Sequence, residues 1–177
     1  MGITVTTPAT TFPVTVLEVK EQSRITSSSE DIWVERAIKA ATAFCENHTA
    51  RSFSAKSLRL TLDEFTDSIM LPRGPVTSVT QIRYLDTEGA TQIVPETDYT
   101  VDLSNFTSWI VRDTDATWPT ILDRVNAVWV DYDVGVSPDE EVRHAILLLA
   151  AHWFDDRENG EIPMGVQTLL ENHRAFA

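Results

Sequence analysis

Residues 127–157 read AVWVDYDVGVSPDEEVRHAILLLAAHWFDDR, and the period of their apolar positions changes once, near Ser137. Before that point Val128 and Val130 alternate with Trp129 and Asp131, the period-two pattern of a strand with one buried face. After it Val142, Ala145, Ile146, Leu149, Ala150 and Trp153 recur at steps of three and four, a broad stripe along one side of a helix. Ser137 can cap that helix, Pro138 suits its first position, and the acidic residues that follow suit its positive end. Asn159-Gly160 stops it.

Upstream, the period-two pattern runs back through residues 57–136. Leu58, Leu60 and Leu62 alternate with Arg59 and Thr61, and Ser68 to Leu71 is a short strand ended by Pro72-Arg73-Gly74-Pro75. Val79, Ile82 and Tyr84 continue the β-rich pattern, and Asp86-Thr87-Glu88-Gly89 predicts a hairpin turn. Tyr99–Asp102 and Trp109–Arg112 complete the strand candidates. Many short strands with local turns predict an antiparallel β subdomain and not a doubly wound sheet.

On the far side of the strands the helical period returns. Thr15-Val16-Leu17-Glu18 fits a capping box opening a short helix to about Ser23. Ser27, Ser28 and Ser29 offer caps for a second helix from about Glu30 to Asn47. Ile32, Ile38, Ala41, Phe44 and Cys45 fall on its apolar stripe, with Glu35 and Lys39 an i, i+4 pair opposite. Residues 1–14 are rich in Thr and Pro and read as an extended arm, disordered unless a partner holds it. Pro163 to Arg174 is a last short amphipathic segment.

These readings make the chain α+β: a small helical bundle from 15–56 and 137–158, an antiparallel β-rich insertion at 57–136, and an amphipathic C-terminal tail at 159–177. Charge follows the same boundaries. Residues 1–56 are neutral overall, 57–136 carry a net −8 and 137–177 a net −5. The total of −13 argues against a binder that neutralises nucleic-acid phosphates. With 42% hydrophobic residues in 177, the chain can bury a core without a staple.

Cys45 is the only cysteine, so an internal disulfide and a Cys-based zinc site are excluded. The first twenty residues lack the basic and apolar regions of a secretory signal, and the longest apolar run, Ala145–Ala151, is too short to span a membrane. The expectation is a soluble protein made in a reducing cytoplasm, with no membrane contact.

No dinucleotide, Walker, nucleophile-elbow or zincin motif is present. His152 and Asp156 stand i, i+4 but lack a third metal ligand nearby, and a hydrogen bond on the helix surface explains them. Cys45 lies near His48, yet on the apolar stripe where a thiol is inert. Asp155, Asp156, Glu158 and Glu161 read as a solvated helix end. No catalytic, cofactor or metal residue is assigned, and no enzyme is expected. Among the tryptophans, Trp33, Trp129 and Trp153 fit core positions, whereas Trp118, in the loop Thr117-Trp118-Pro119, is a candidate interface anchor.

In order, the chain carries VTVLEVKEQSRI, AATAFCENHTARSF, LRLTLDEF, IMLPRGPVTSVTQIRYLDTEG, DYTVD, TWP, VSPDEEVRHAILLLAAHWFDDRE and IPMGVQTLLENHR. From about Val14 to Arg174 this order and spacing resembles the head–tail connector (adaptor, or head-completion) proteins of long-tailed phages and gene transfer agents. The most telling pieces are Leu71–Val79, Ala145–Arg157, and Pro163–Val166 with Leu169-Leu170.

The resemblance implies a structural virion protein, made in the host cytoplasm and placed in the neck between capsid and tail. A ring of about twelve neighbouring copies would sit below the portal protein and carry the tail attachment site for a downstream neck or tail protein. DNA would pass through its channel without specific binding; separately, the net charge of −13 fits an acidic inner wall that repels the duplex. Ile162, Met164, Val166, Leu169, Leu170 and Phe176 are the candidates for docking on the portal or a neighbour; packing back on the protein's own long helix is the alternative. Another neck role, stopper or tail completion, is the second reading. A small metal-dependent hydrolase using His152 and Asp156 is the reserve.

Overall fold

The computed structural model describes residues 1–105, 107–156 and 160–175. The chain forms two units, one from Met1–Ala9 with Ala55–Gly135 and one from Thr10–Ser54 with Val136–Ala177.

The first unit is built from eight strands: β1 (Gly2–Thr7), β2 (Lys56–Leu62), β3 (Ser68–Leu71), β4 (Val76–Leu85), β5 (Thr91–Ile93), β6 (Tyr99–Asp102), β7 (Ser108–Arg112) and β8 (Val128–Val134). They make a five-stranded sheet in the order β1-β2-β8-β4-β5 and a three-stranded sheet in the order β3-β7-β6. Every pairing is antiparallel. Alternation decides which side chains meet. Leu58, Leu60, Ile82, Val128, Val130 and Tyr132 of the larger sheet share one buried cluster with Ile69, Leu71, Tyr99 and Ile110 of the smaller. The buried Tyr132 hydroxyl donates to Pro72 O at 3.0 Å, which satisfies its one polar atom.

The β4–β5 turn forms where the sequence predicts it. Asp86 Oδ1 accepts from Glu88 N at 3.0 Å and Ala90 N at 2.9 Å, and Gly89 supplies the positive φ of +82° that the turn requires.

The second unit holds α1 (Val16–Gln22), α2 (Asp31–Thr49), α3 (Glu140–Asp155) and α4 (Met164–Glu171). Thr15 and Glu18 form the predicted capping box of α1. Arg143 of α3 donates through Nη2 to Glu18 Oε1 and through Nε to Pro13 O at 3.1 Å, tying α1 to α3. The core consists of Val19, Val34, Ile38, Ala41, Cys45, Val142, Ala145, Ile146, Leu149, Val166 and Leu170, together with Val14, Phe53 and three more alanines. No helix among the described residues is long and apolar enough to cross a membrane.

Three details differ from expectation. Residues 1–14 are divided: Gly2–Thr7 pair with β2, while Val14 is buried in the helical core. Five of the six β1 residues are β-branched, a strand preference that the Thr-rich composition disguises. Helix α3 starts at Glu140, its cap position taken by Asp139 in extended backbone, so that Ser137 and Pro138 precede the helix. Ile32 is exposed, because α2 turns Val34, Ala37, Ile38 and Ala41 inward, and a residue two before Val34 lies on the opposite side.

Candidate docking surfaces

The C-terminal segment divides by helical phase. Val166 is 0% exposed and Leu170 is also fully buried; both belong to the helical core, so neither is free to anchor a partner. Ile162 and Leu169 are half-buried against the same core. Met164, two residues and about half a turn from Val166, is 82% exposed. The end of the segment is tied down as well. His173 Nε2 lies 2.9 Å from Glu141 Oε2, and Ala175 N donates to Thr49 O at 2.7 Å. Phe176, the remaining candidate, lies outside the described residues. The docking segment is thus largely a fourth helix of the bundle, with Met164 as its outward apolar group.

A second apolar surface lies on α2. Trp33 is 48% exposed with the Arg36 guanidinium 4.9 Å from its ring, and Ile32 stands exposed beside it. Trp33, Arg36, Ala37 and Ala40 face Trp153 and Phe154 of α3 across a shallow groove of about 260 Å³. Trp and Arg around a groove are the residue types that dominate protein interfaces. Of the tryptophans read as core, Trp33 is therefore a surface residue and Trp153 is half-buried, edge-on to Phe44 at 5.9 Å.

Trp118 packs within its own unit. Its ring stacks on Phe65 at 4.6 Å and its Nε1 donates to Thr66 O at 2.8 Å. One face of its ring and its one donor are occupied inside the chain, and the residue as a whole is half-buried.

On the face of the larger sheet opposite its core, Asp131 accepts from Arg59 Nε at 2.7 Å, Arg83 Nη2 at 2.7 Å and Gln81 Nε2 at 3.1 Å. Burial pushes this carboxyl up, but the hydrogen bonds from Arg59 and Gln81 and the two guanidinium charges outweigh it and hold it below the usual range. Asp133 accepts from Ser57 and Ser78 in the next layer. The sequence shows these carboxylates, but nothing in their spacing along the chain shows that three strands bring their partners together.

The groups that could do chemistry stand apart. Burial, with the nearby Glu46 charge, pushes the Cys45 thiol up to about 12, which leaves no thiolate near neutrality. Glu46 is itself buried, and its Oε1 accepts from Phe53 N at 2.8 Å and Ser54 N at 3.1 Å, holding the chain as it leaves α2. Asp156 N donates to His152 O at 2.8 Å, an ordinary helix-end bond. Among the described residues no group of three His, Cys, Asp or Glu side chains is placed to hold a metal.

Comparison with known proteins bears on this surface chemistry. No curated protein matches the chain. Among solved structures, a chain from the neck of an empty gene transfer agent particle computed with C6 symmetry aligns with a TM-score of 0.81 at 24% identity, over 100% of this chain and 97% of that one. A chain from the virion of a native gene transfer agent particle aligns with a TM-score of 0.81 at 25% identity, with the same coverage. One from the neck of a native particle computed with C12 symmetry aligns at 0.76 and 24%, again over 100% and 97%. The sequence matches the head completion protein family over residues 14–176, and the chain belongs to that family.

Proposed function

We propose that this chain is a structural head–tail connector of the virion neck, one subunit of a ring of about twelve copies that sits below the portal, prolongs the DNA channel and offers the tail its attachment site. The observation that carries this reading is the family match from residue 14 to 176, joined to a fold shared over its full length with chains from gene transfer agent necks. The chemistry is of the right kind. The outward groups are apolar and aromatic contact residues, Met164 and the Ile32–Trp33–Arg36 surface. The net charge of −13 suits a wall past which a polyanion slides without sticking.

Docking on the portal falls to the exposed start of α4, with Met164 as the apolar contact. Removing residues 162–177 is not a clean test, because it takes Val166 and Leu170 from the core. The better test uses the whole chain. Portal-bearing, DNA-filled heads are incubated with the wild type or with Met164→Lys and pelleted. The wild type should pellet with the heads, and Met164→Lys should pellet at least tenfold less. Wild type left wholly in the supernatant would overturn portal binding and move the role to the tail side of the neck. Equal pelleting of the variant would overturn the role of Met164.

A further inference from the structure

The larger sheet has an edge that its own unit leaves open. β1 is the terminal strand, paired on one side with β2 alone, and all six of its residues are exposed. Edge strands of soluble proteins are ordinarily blunted by charge, proline or distortion. Gly2–Thr7 contains no charge and no proline, and its one irregularity falls between Val5 and Thr7, which leaves Gly2–Val5 in regular register.

Its side chains add a second signal. Ile3 stands opposite Leu60 and Val5 opposite Leu58, so both point to the core side of the sheet. There they are 41% and 56% exposed, whereas Leu58 and Leu60 are buried. No residue of β1 belongs to the buried cluster that the two sheets share. Open backbone and uncovered apolar side chains therefore coincide on one strand.

We propose that β1 pairs with β1 of a second copy of this chain, antiparallel and about a two-fold axis at Thr4, to make a ten-stranded sheet in a reversible dimer. Two features select a second copy as the occupant. Residues 1–14 carry no charged side chain, whereas the chain as a whole carries −13, so like-charged copies can approach closely at this strip. The strand is also self-complementary. With Thr4 opposite Thr4, Ile3 meets Val5 and Val5 meets Ile3, and all four apolar groups lie on the core side. Shifting the register by one strand position would place core-side groups opposite outward-facing ones. The next register in one direction pairs Ile3 with Ile3 and sets Val5 against Met1, which lies outside the strand; in the other direction it pairs Val5 with Val5 and sets Ile3 against Thr7.

Two-fold pairing closes on itself, whereas a ring needs neighbours related by a rotation that repeats. The dimer is therefore a store and not a step around the ring. Its contact is far smaller than the 20–30 residues a side of a standard interface, which makes it weak and readily opened. It covers the aggregation-prone edge of the free chain until docking at the vertex draws subunits away. The pairing goes beyond the connector reading and does not depend on it; its role as a store rests on that reading.

Sedimentation equilibrium of the whole chain between about 1 and 500 µM tests it. The wild-type mass should rise from 19.8 kDa towards twice that value, and Val5→Lys should remain at 19.8 kDa with an unchanged far-ultraviolet spectrum. Under mild oxidation Thr4→Cys should form a covalent dimer at least tenfold faster than Ala43→Cys on the exposed side of α2, the native Cys45 being buried. Antiparallel partners lie about 4.5–5.5 Å apart at Cα, within disulfide range. A mass that stays at 19.8 kDa, one that climbs past two copies, or equal rates for the two cysteine variants would overturn the pairing. Val5→Lys added to portal-bearing heads separates the readings: its binding there tests the connector role whatever the dimer does.

Discussion

Asp131 Oδ2 on β8 accepts from Arg83 Nη2 on β4 at 2.7 Å, while Asp131 Oδ1 accepts from Arg59 Nε on β2 at the same distance. One carboxylate thus clamps the three central strands of the larger sheet, and its side chain is only 13% exposed. Asp131→Asn removes the charge and leaves two guanidinium groups facing a neutral amide. The expected loss is about 2 kcal/mol of unfolding free energy, read from urea denaturation at pH 7. The carboxyl titrates below its ordinary range in the folded chain, so its contribution is complete above the unfolded-state pKa of about 4 and fades as pH falls through the lower folded-state value. The gap between wild type and variant should therefore narrow in acid. A gap that widens there would contradict the clamp.

The two faces of α4 should respond oppositely to substitution. Leu170→Ala opens a cavity in the helical core and should cost about 3 kcal/mol. Met164→Lys alters a side chain already in solvent and should change stability by no more than about 0.5 kcal/mol. Thermal unfolding of both variants checks this. Equal destabilisation would mean that α4 does not pack as described.

Much of this division was legible in the sequence, and the exceptions have physical causes. The switch of period near Ser137 separates β8 from α3, and the Thr15–Glu18 box places α1 to within a residue. Strand β1 was missed although Ile3 and Val5 alternate with Thr4 and Thr6, because two apolar positions in a Thr- and Pro-rich stretch make a short signal; the register against β2 shows them sharing a face with Leu60 and Leu58. Trp118 was read as an anchor because its loop context is visible in sequence, whereas its stacking partner Phe65 is 53 positions away. For α4 the spacing of Val166 and Leu170 shows an apolar side but not what covers it. Either a partner or α3 could do so, and in the fold the bundle itself does.

Cys45 provides a probe of the core. Its thiol is buried, and burial holds the pKa near 12, so the native chain should react with a thiol reagent at pH 8 at least a hundredfold more slowly than the chain in 6 M urea. The sign of the linked pH effect follows. Above about pH 8.5 the unfolded thiol releases its proton while the folded one keeps it, so this group lowers stability as pH rises from there towards 12. Labelling at comparable rates in the folded and unfolded chain would contradict the burial.

The connector role is tested most directly at the vertex itself. Purified chain is added to portal-bearing, DNA-filled capsids, and the portal vertex is imaged by electron cryomicroscopy. A closed ring of about twelve added subunits below the portal, each with α4 and Met164 towards it, is the expected result. A bare vertex, with the chain still free in solution, would contradict the role.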